Sequence, residues 1–168
     1  MIDVRNLYKS FGPIDALREV SLSLTGPSVI GLLGQNGAGK TTLLRHIVGL
    51  QLPTSGTART FGVPTRSLSH EQLVKIGVVT QTPQFLQWMT IERQLRYLSA
   101  FYPHWDGQRE ASLLEQLELD PGSTIGGLST GSVQKLAIVA ALCHHPSLLL
   151  LDEPVSNLDP IVRDRFLK

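Results

Sequence analysis

The residues best able to do chemistry lie in Gly34-Gln35-Asn36-Gly37-Ala38-Gly39-Lys40-Thr41, which fits the pattern G-x-x-x-x-G-K-[ST]. This spacing suits the holding of phosphate. Gly34, Gly37 and Gly39 are predicted to open backbone conformations closed to other residues, so that N–H groups from Asn36 and Ala38 onward turn inward on one anion. Lys40 adds a mobile positive charge, and the Thr41 hydroxyl can serve Mg²⁺. Thr42, Leu43 and Leu44 continue as a helix whose first N–H groups and dipole favour the same anion. Further along stand two adjacent carboxylates, Asp152 and Glu153. Alternation at the end of an apolar strand sends them apart, so one can reach a metal while the other orients a water.

Four further residues can be read two ways. Gln81 is a polar amide at the end of an apolar strand, where α/β sheets bind ligands, or simply the start of a loop. Ser129 and Gly131 open a helix and make either a second anion site or an ordinary cap. Phe11, next to Gly12-Pro13, either stacks on a nucleobase or packs on its own hairpin.

The elements that must position these groups follow from periodicity. Met1 to Leu7 and Glu19 to Leu24 alternate as half-buried antiparallel strands joined through Phe11-Gly12-Pro13. Val29 to Leu33 reads as a buried parallel strand leading into the glycine loop. After the helix, Leu52-Pro53-Thr54-Ser55-Gly56 turns the chain into a strand over Thr57 to Phe61, and Ser69 with Gln72 forms a capping box for a brief helix to about Lys75. Ile76 to Thr80 is a strand. Thr90 caps a helix carrying Ile91, Leu95, Leu98 and Phe101, and Asp106 to Leu117 forms another that Asp120-Pro121-Gly122 ends. His104 and Trp105 between them close a local core or touch a partner. A helix from Leu128 to about His144 follows, with His144 and His145 complementing its negative end. Leu148 to Leu151 is a fully buried strand, and Asp159-Pro160 starts a last helix. The fold class is α/β, with a mixed sheet, an N-terminal antiparallel β layer and a helical insert over approximately 85–145.

The 168 residues suffice for one substantial core, and 42% hydrophobic content is ordinary for a globular chain. A formal net charge of +1 provides no basic field for nucleic acid, so nucleic acid is not an expected partner. No apolar run reaches the roughly 18 residues that span a bilayer, and MIDVRNLYKS lacks a signal-peptide core, which points to the cytoplasm. Cys143 is the single cysteine and reads as a packing residue.

Taken in order, the glycine loop, Gln81, the Leu128 to Leu136 segment, Leu148 to Glu153 and Ser156-Asn157-Leu158-Asp159 resemble the nucleotide-binding domain of ABC transporters, a P-loop NTPase fold. The resemblance covers nearly all of residues 1–168. It implies that Phe11 stacks on adenine and that Gly34 to Thr42 form the Walker A loop for ATP. Gln81 becomes the Q-loop glutamine and a ligand of Mg²⁺ together with Thr41 and Asp152, the end of Walker B. Glu153 becomes the catalytic carboxylate and Ser156 to Asp159 the D-loop. Ser129 and Gly131 lie in the signature, which the family brings against the ATP of a second domain packed head to tail. Thr130 and Ser132 stand where the commonest signature has Gly and Gln.

That relaxed signature, with Phe101-Tyr102-Pro103-His104-Trp105-Asp106, resembles exporters whose ATPase and membrane permease are separate chains. The ATPase would then sit at the inner face of the membrane through the permease. The family's switch histidine would fall beyond Lys168, so the chain reads as incomplete and as a poor ATPase alone. A soluble ABC-type ATPase of translation or DNA repair is the competing reading, and such proteins usually carry a second cassette or a coiled coil. A P-loop kinase or GTPase fits less well, given the signature and the absence of an Asn-Lys-x-Asp motif.

Overall fold

The structure is a computed structural model that describes residues 2–154. β1 (Ile2–Phe11) and β2 (Ile14–Leu24) run longer than their alternation predicts and pair antiparallel, from Ile2 opposite Leu24 to Phe11 opposite Ile14. A register shift between Val4 and Leu7 interrupts the period of two. Such a bulge turns an odd-numbered residue to the face used by the even ones, and Val4 and Leu7 are both fully buried.

The other edge of β1 pairs with β3 (Ser55–Thr60), which hairpins into the short β4 (Val63–Pro64), giving the order β2-β1-β3-β4. Phe61 and Gly62 between β3 and β4 both have positive φ, as a tight two-residue hairpin turn requires. α1 (Lys40–Ile47) buries Leu43, His46 and Ile47, and Thr60 Oγ1 on β3 donates to the Ile47 carbonyl at 2.6 Å. Ser69 and Gln72 form the expected box, with the Ser69 N–H donating to Gln72 Oε1 at 3.0 Å, ahead of α2 (His70–Leu73).

One predicted strand is not formed. Residues 29–33 lie outside every strand, and Val29 and Leu33 are 104% and 94% exposed. A short apolar stretch becomes a buried strand only when a neighbouring strand takes up its N–H and C=O groups, and none of the described strands pairs with these residues.

The described chain divides into two units at Leu73/Val74. In the second, β5 (Ile76–Val79) and β6 (Leu148–Leu151) pair parallel, Ile76 opposite Leu148 through Val79 opposite Leu151. α5 (Thr130–Leu142) lies close over β5 because Gly77 has no side chain: a Cβ there would come within 2.5 Å of the Ala141 carbonyl oxygen. β6 is not fully buried as predicted. Only Leu150 is inside, while Leu149 and Leu151 stay exposed on a two-stranded sheet.

The helical insert lies within this unit. α3 (Ile91–Ser99), α4 (Gly107–Gln116) and α5 enclose Ile91, Leu95, Leu114, Leu119, Leu136, Val139 and Cys143. Thr90, Asp106 and Ser129 each cap a helix through their side chains. Trp105 packs against this core and donates to Glu110 Oε2 at 2.6 Å, so it closes local structure, whereas His104 is exposed. Burial pushes the Cys143 thiol up to about 12, consistent with packing.

α4 stops before Asp120-Pro121-Gly122, because Glu118 turns to φ 56 and the Leu119 N–H bonds back to the Leu114 carbonyl. The two histidines after α5 engage partners other than its carbonyl end. His144 is buried against the Val74 carbonyl and stacks on Tyr102 at 4.1 Å, and burial lowers its pKa, which favours the neutral ring. His145 Nε2 instead pairs with Asp106 Oδ2, 2.9 Å away.

Candidate functional site

In the first unit the loop 34–41 joins the exposed segment 29–33 to α1. Gly37 and Gly39 have φ of 81° and 87°, in the left-handed region predicted for them. Gly39 is also pressed against β2, since a Cβ there would stand 2.3 Å from the Ala16 carbonyl oxygen. Gly34 differs from expectation: its φ is outside that region, and a Cβ would meet Ala38 Cβ at 3.4 Å. The Ala38 N–H is taken by the turn itself, donating to the Gln35 carbonyl at 3.1 Å.

Lys40 Nζ folds back over the loop, donating to the Gly34 carbonyl at 2.8 Å and the Gln35 carbonyl at 3.0 Å. A phosphate oxygen is a stronger acceptor for an ammonium than either carbonyl. The N-cap of α1 is Gly39, which offers no side-chain cap, and the first turn holds no acidic residue. Its leading N–H groups thus face an anion without competition from a carboxylate, and a triphosphate fits this donor set. Thr41 and Thr42 are half-buried in that first turn, and the Thr42 carbonyl holds His46 Nδ1 at 2.7 Å. Phe11, at the end of β1, remains 47% exposed, so its hairpin does not bury it.

In the second unit the ends of the two parallel strands bring Gln81 and Glu153 together. The Asp152 N–H donates to the Val79 carbonyl at 2.8 Å, extending the ladder one residue beyond β6 and leaving Asp152 buried. The chain then turns, with Glu153 at φ 50. The two carboxylates therefore part through a left-handed residue and not, as predicted, by strand alternation. A non-glycine residue held there is uncommon and marks a local constraint. Gln81 Nε2 donates to Glu153 Oε2 at 3.0 Å across 72 positions of sequence.

The segment after Gln81 is anchored by groups that periodicity does not single out. Gln94, buried on α3, accepts the Leu86 N–H on Oε1 at 3.0 Å, and Gln134, buried on α5, donates to the Thr80 carbonyl at 3.2 Å. Their one sequence signal is an amide on the apolar face of a helix. Ser129 Oγ accepts the Ser132 N–H at 3.1 Å and lies 2.9 Å from Ser132 Oγ, with Gly131 in the first turn of α5. The segment Ser156 to Asp159 is outside the described residues.

Comparison with known proteins assigns the family. A family profile described as "ABC transporter" matches residues 17–156. The bacitracin transport ATP-binding protein BcrA of Enterococcus faecalis is 34% identical over 163 residues, 96% of this chain and 53% of that protein. The Nod factor export ATP-binding protein I of Rhizobium meliloti (strain 1021) is 35% identical over 167 residues, 96% of this chain and 50% of its own length. The chain thus spans about half the length of these curated relatives. A dimeric structure of the ATP-binding cassette MJ0796, in a post-hydrolysis state bound to ADP and Pi, superposes with a TM-score of 0.85 at 27% identity, covering 99% of this chain and 80% of that one. With the glycine loop, Gln81, Glu153 and the Ser129 helix start all inside or beside the matched region, the chain belongs to the ABC transporter family.

Proposed function

We propose that the protein binds ATP and hydrolyses it with Mg²⁺ as the motor domain of an ABC exporter. It works head to tail with a second such domain, most simply another copy of itself, and under a membrane permease at the cytoplasmic face. The observation that carries the chemistry is the 3.0 Å bond from Gln81 to Glu153 Oε2. It joins the Gln81 amide to the carboxylate that, in this reading, takes the proton of a water as that water's oxygen bonds to phosphorus and the ADP oxygen departs. Lys40 and the first N–H groups of α1 bind and orient the phosphates, and Phe11 takes the adenine. Mg²⁺, when bound, would neutralise phosphate charge; Thr41 in the first unit carries a hydroxyl, and Gln81 and Asp152 in the second carry an amide oxygen and a carboxylate, donors of the kind it prefers.

Export, as opposed to import, is supported by the Nod factor relative, whose name carries that direction. Pairing is supported by the dimeric cassette, and in such a pair Ser129 and Gly131 would serve the partner's nucleotide. A permease contact draws support from apolar surface near α3. Trp88, Tyr97 and Phe101 are each at least half exposed, and the last two lie edge to face at 5.3 Å. Clustered aromatics of this kind mark surface that a partner buries. No helix among the described residues is long and apolar enough to cross a membrane.

The test is phosphate release by the full-length protein and its Glu153→Gln form. The amide keeps the shape of the side chain but cannot take a proton, so ATP affinity should stay within about threefold while turnover falls on the order of a hundredfold or more. Turnover surviving within a few fold would remove Glu153 from the catalytic role.

A further inference from the structure

The strand period puts Lys9 and Phe11 on the same face of β1, and their side chains meet: Lys9 Nζ lies 5.1 Å from the centroid of the Phe11 ring. Chance contact at a flexible lysine is a poor account of this geometry, because the ammonium is also tied down, donating to the Leu52 carbonyl at 2.9 Å. The stretch that supplies that carbonyl is itself stitched to β1. The Thr54 N–H donates to the Tyr8 carbonyl at 2.9 Å, and Thr54 Oγ1 accepts the Ser10 N–H at 3.2 Å. Lys9 is therefore a fixed cation set over an aromatic face, while Phe11 keeps 47% of its surface open.

We propose that Lys9 is a positioning residue for the nucleobase, its ammonium covering one face of Phe11 so that the ring is held still and polarised for a purine on the other. A cation over one face draws π density toward itself and leaves the opposite face poorer in electrons. An electron-rich purine stacks better on such a face, and a ring that cannot tumble loses less entropy when the base arrives. Lys9 itself touches neither base nor phosphate. The inference rests on the reading of Phe11 as the stacking residue.

Competition binding in the full-length protein separates the two, with ATP and inorganic tripolyphosphate as the probes. Phe11→Ala should weaken ATP about tenfold and leave tripolyphosphate unchanged. Lys9→Met keeps the length and packing of the stem without the charge, and should weaken ATP about threefold, again with tripolyphosphate unchanged. Lys9→Arg, a cation that also sits well over rings, should restore ATP affinity. In the Phe11→Ala background Lys9→Met should cost nothing further, since the ring through which it acts is gone.

If Phe11→Ala weakens ATP and Lys9→Met does not, the role of Lys9 is overturned and the stacking reading stands. If Lys9→Met weakens tripolyphosphate as much as ATP, the ammonium serves phosphate and the proposal is wrong. If Phe11→Ala leaves both probes unchanged, the stacking reading fails first and the role of Lys9 goes with it.

Discussion

Two helix starts in this chain look alike in sequence and differ in structure. α1 begins after Gly37-Ala38-Gly39 and α5 after Ser129, with Gly131 in its first turn, and both present the positive end of a helix dipole. At α5 the end is closed by its own side chains: Ser129 Oγ takes the Ser132 N–H and meets Ser132 Oγ at 2.9 Å. At α1 the cap residue makes no such bond. The cap residue is a glycine, no acid stands in the first turn, and the first helical residue is Lys40, whose charge opposes the dipole. A helix with glycine as its cap and a like charge in its first turn gives up roughly 0.5–1 kcal/mol of local stability. Breaking a local rule in this way is characteristic of a site built for a ligand, here an anion that satisfies both the N–H groups and the lysine. A glycine or serine at a helix start is thus weak information. What its neighbours leave unsatisfied is strong.

The sharpest way to break the contrast is to give the α1 end a side chain. Gly39→Ala places a methyl 2.3 Å from the Ala16 carbonyl oxygen at a φ of 87°, so the loop must move. The expected cost is about 3 kcal/mol of stability by urea unfolding, with nucleotide affinity lost along with the loop geometry. A neutral result would mean that the loop tolerates another conformation and that its shape is not what binds.

A second change addresses the closed end. Ser129→Arg on one protomer should impair hydrolysis at the nucleotide of the other, because a bulky cation replaces a small donor. In mixed dimers that combine Ser129→Arg on one chain with Lys40→Ala on its partner, both lesions can fall on one composite site and leave about half the turnover, about one site in two. Equal damage to both sites would contradict pairing in trans. The smallest effect is Ser129→Ala in the single chain, where it removes the cap of α5 and should lower stability by about 1 kcal/mol in thermal unfolding. Nucleotide affinity of the single chain should not change.

Much of this was legible in residues that have only one use. Lys40 and Thr41 after spaced glycines, and two carboxylates at the end of an apolar strand, are difficult to assign to packing alone. Strand and helix existence followed from periodicity for β1 to β3, β5 and α3 to α5. The failures have physical causes. Residues 29–33 carry a strand's composition, but a strand is a pairing, and its neighbour cannot be read from its own side chains. The bond from Gln81 to Glu153 joins positions 72 apart and depends on the parallel register of β5 and β6. Lys9 over Phe11 needs a carbonyl more than forty residues away to hold it. His144 looked like a charge at a helix end and is instead a buried ring stacked on Tyr102, where burial lowers its pKa, because what packs on a histidine decides which form is favoured.

The central claim is that the open start of α1 and Lys40 hold the phosphates of a nucleotide. Calorimetric titration of ATP into the full-length protein and its Lys40→Ala form tests it most directly. The account predicts saturable binding by the wild type and a loss of affinity on the order of a hundredfold in the variant, since a charge-assisted contact to phosphate disappears. Equal affinity in the two proteins would contradict it.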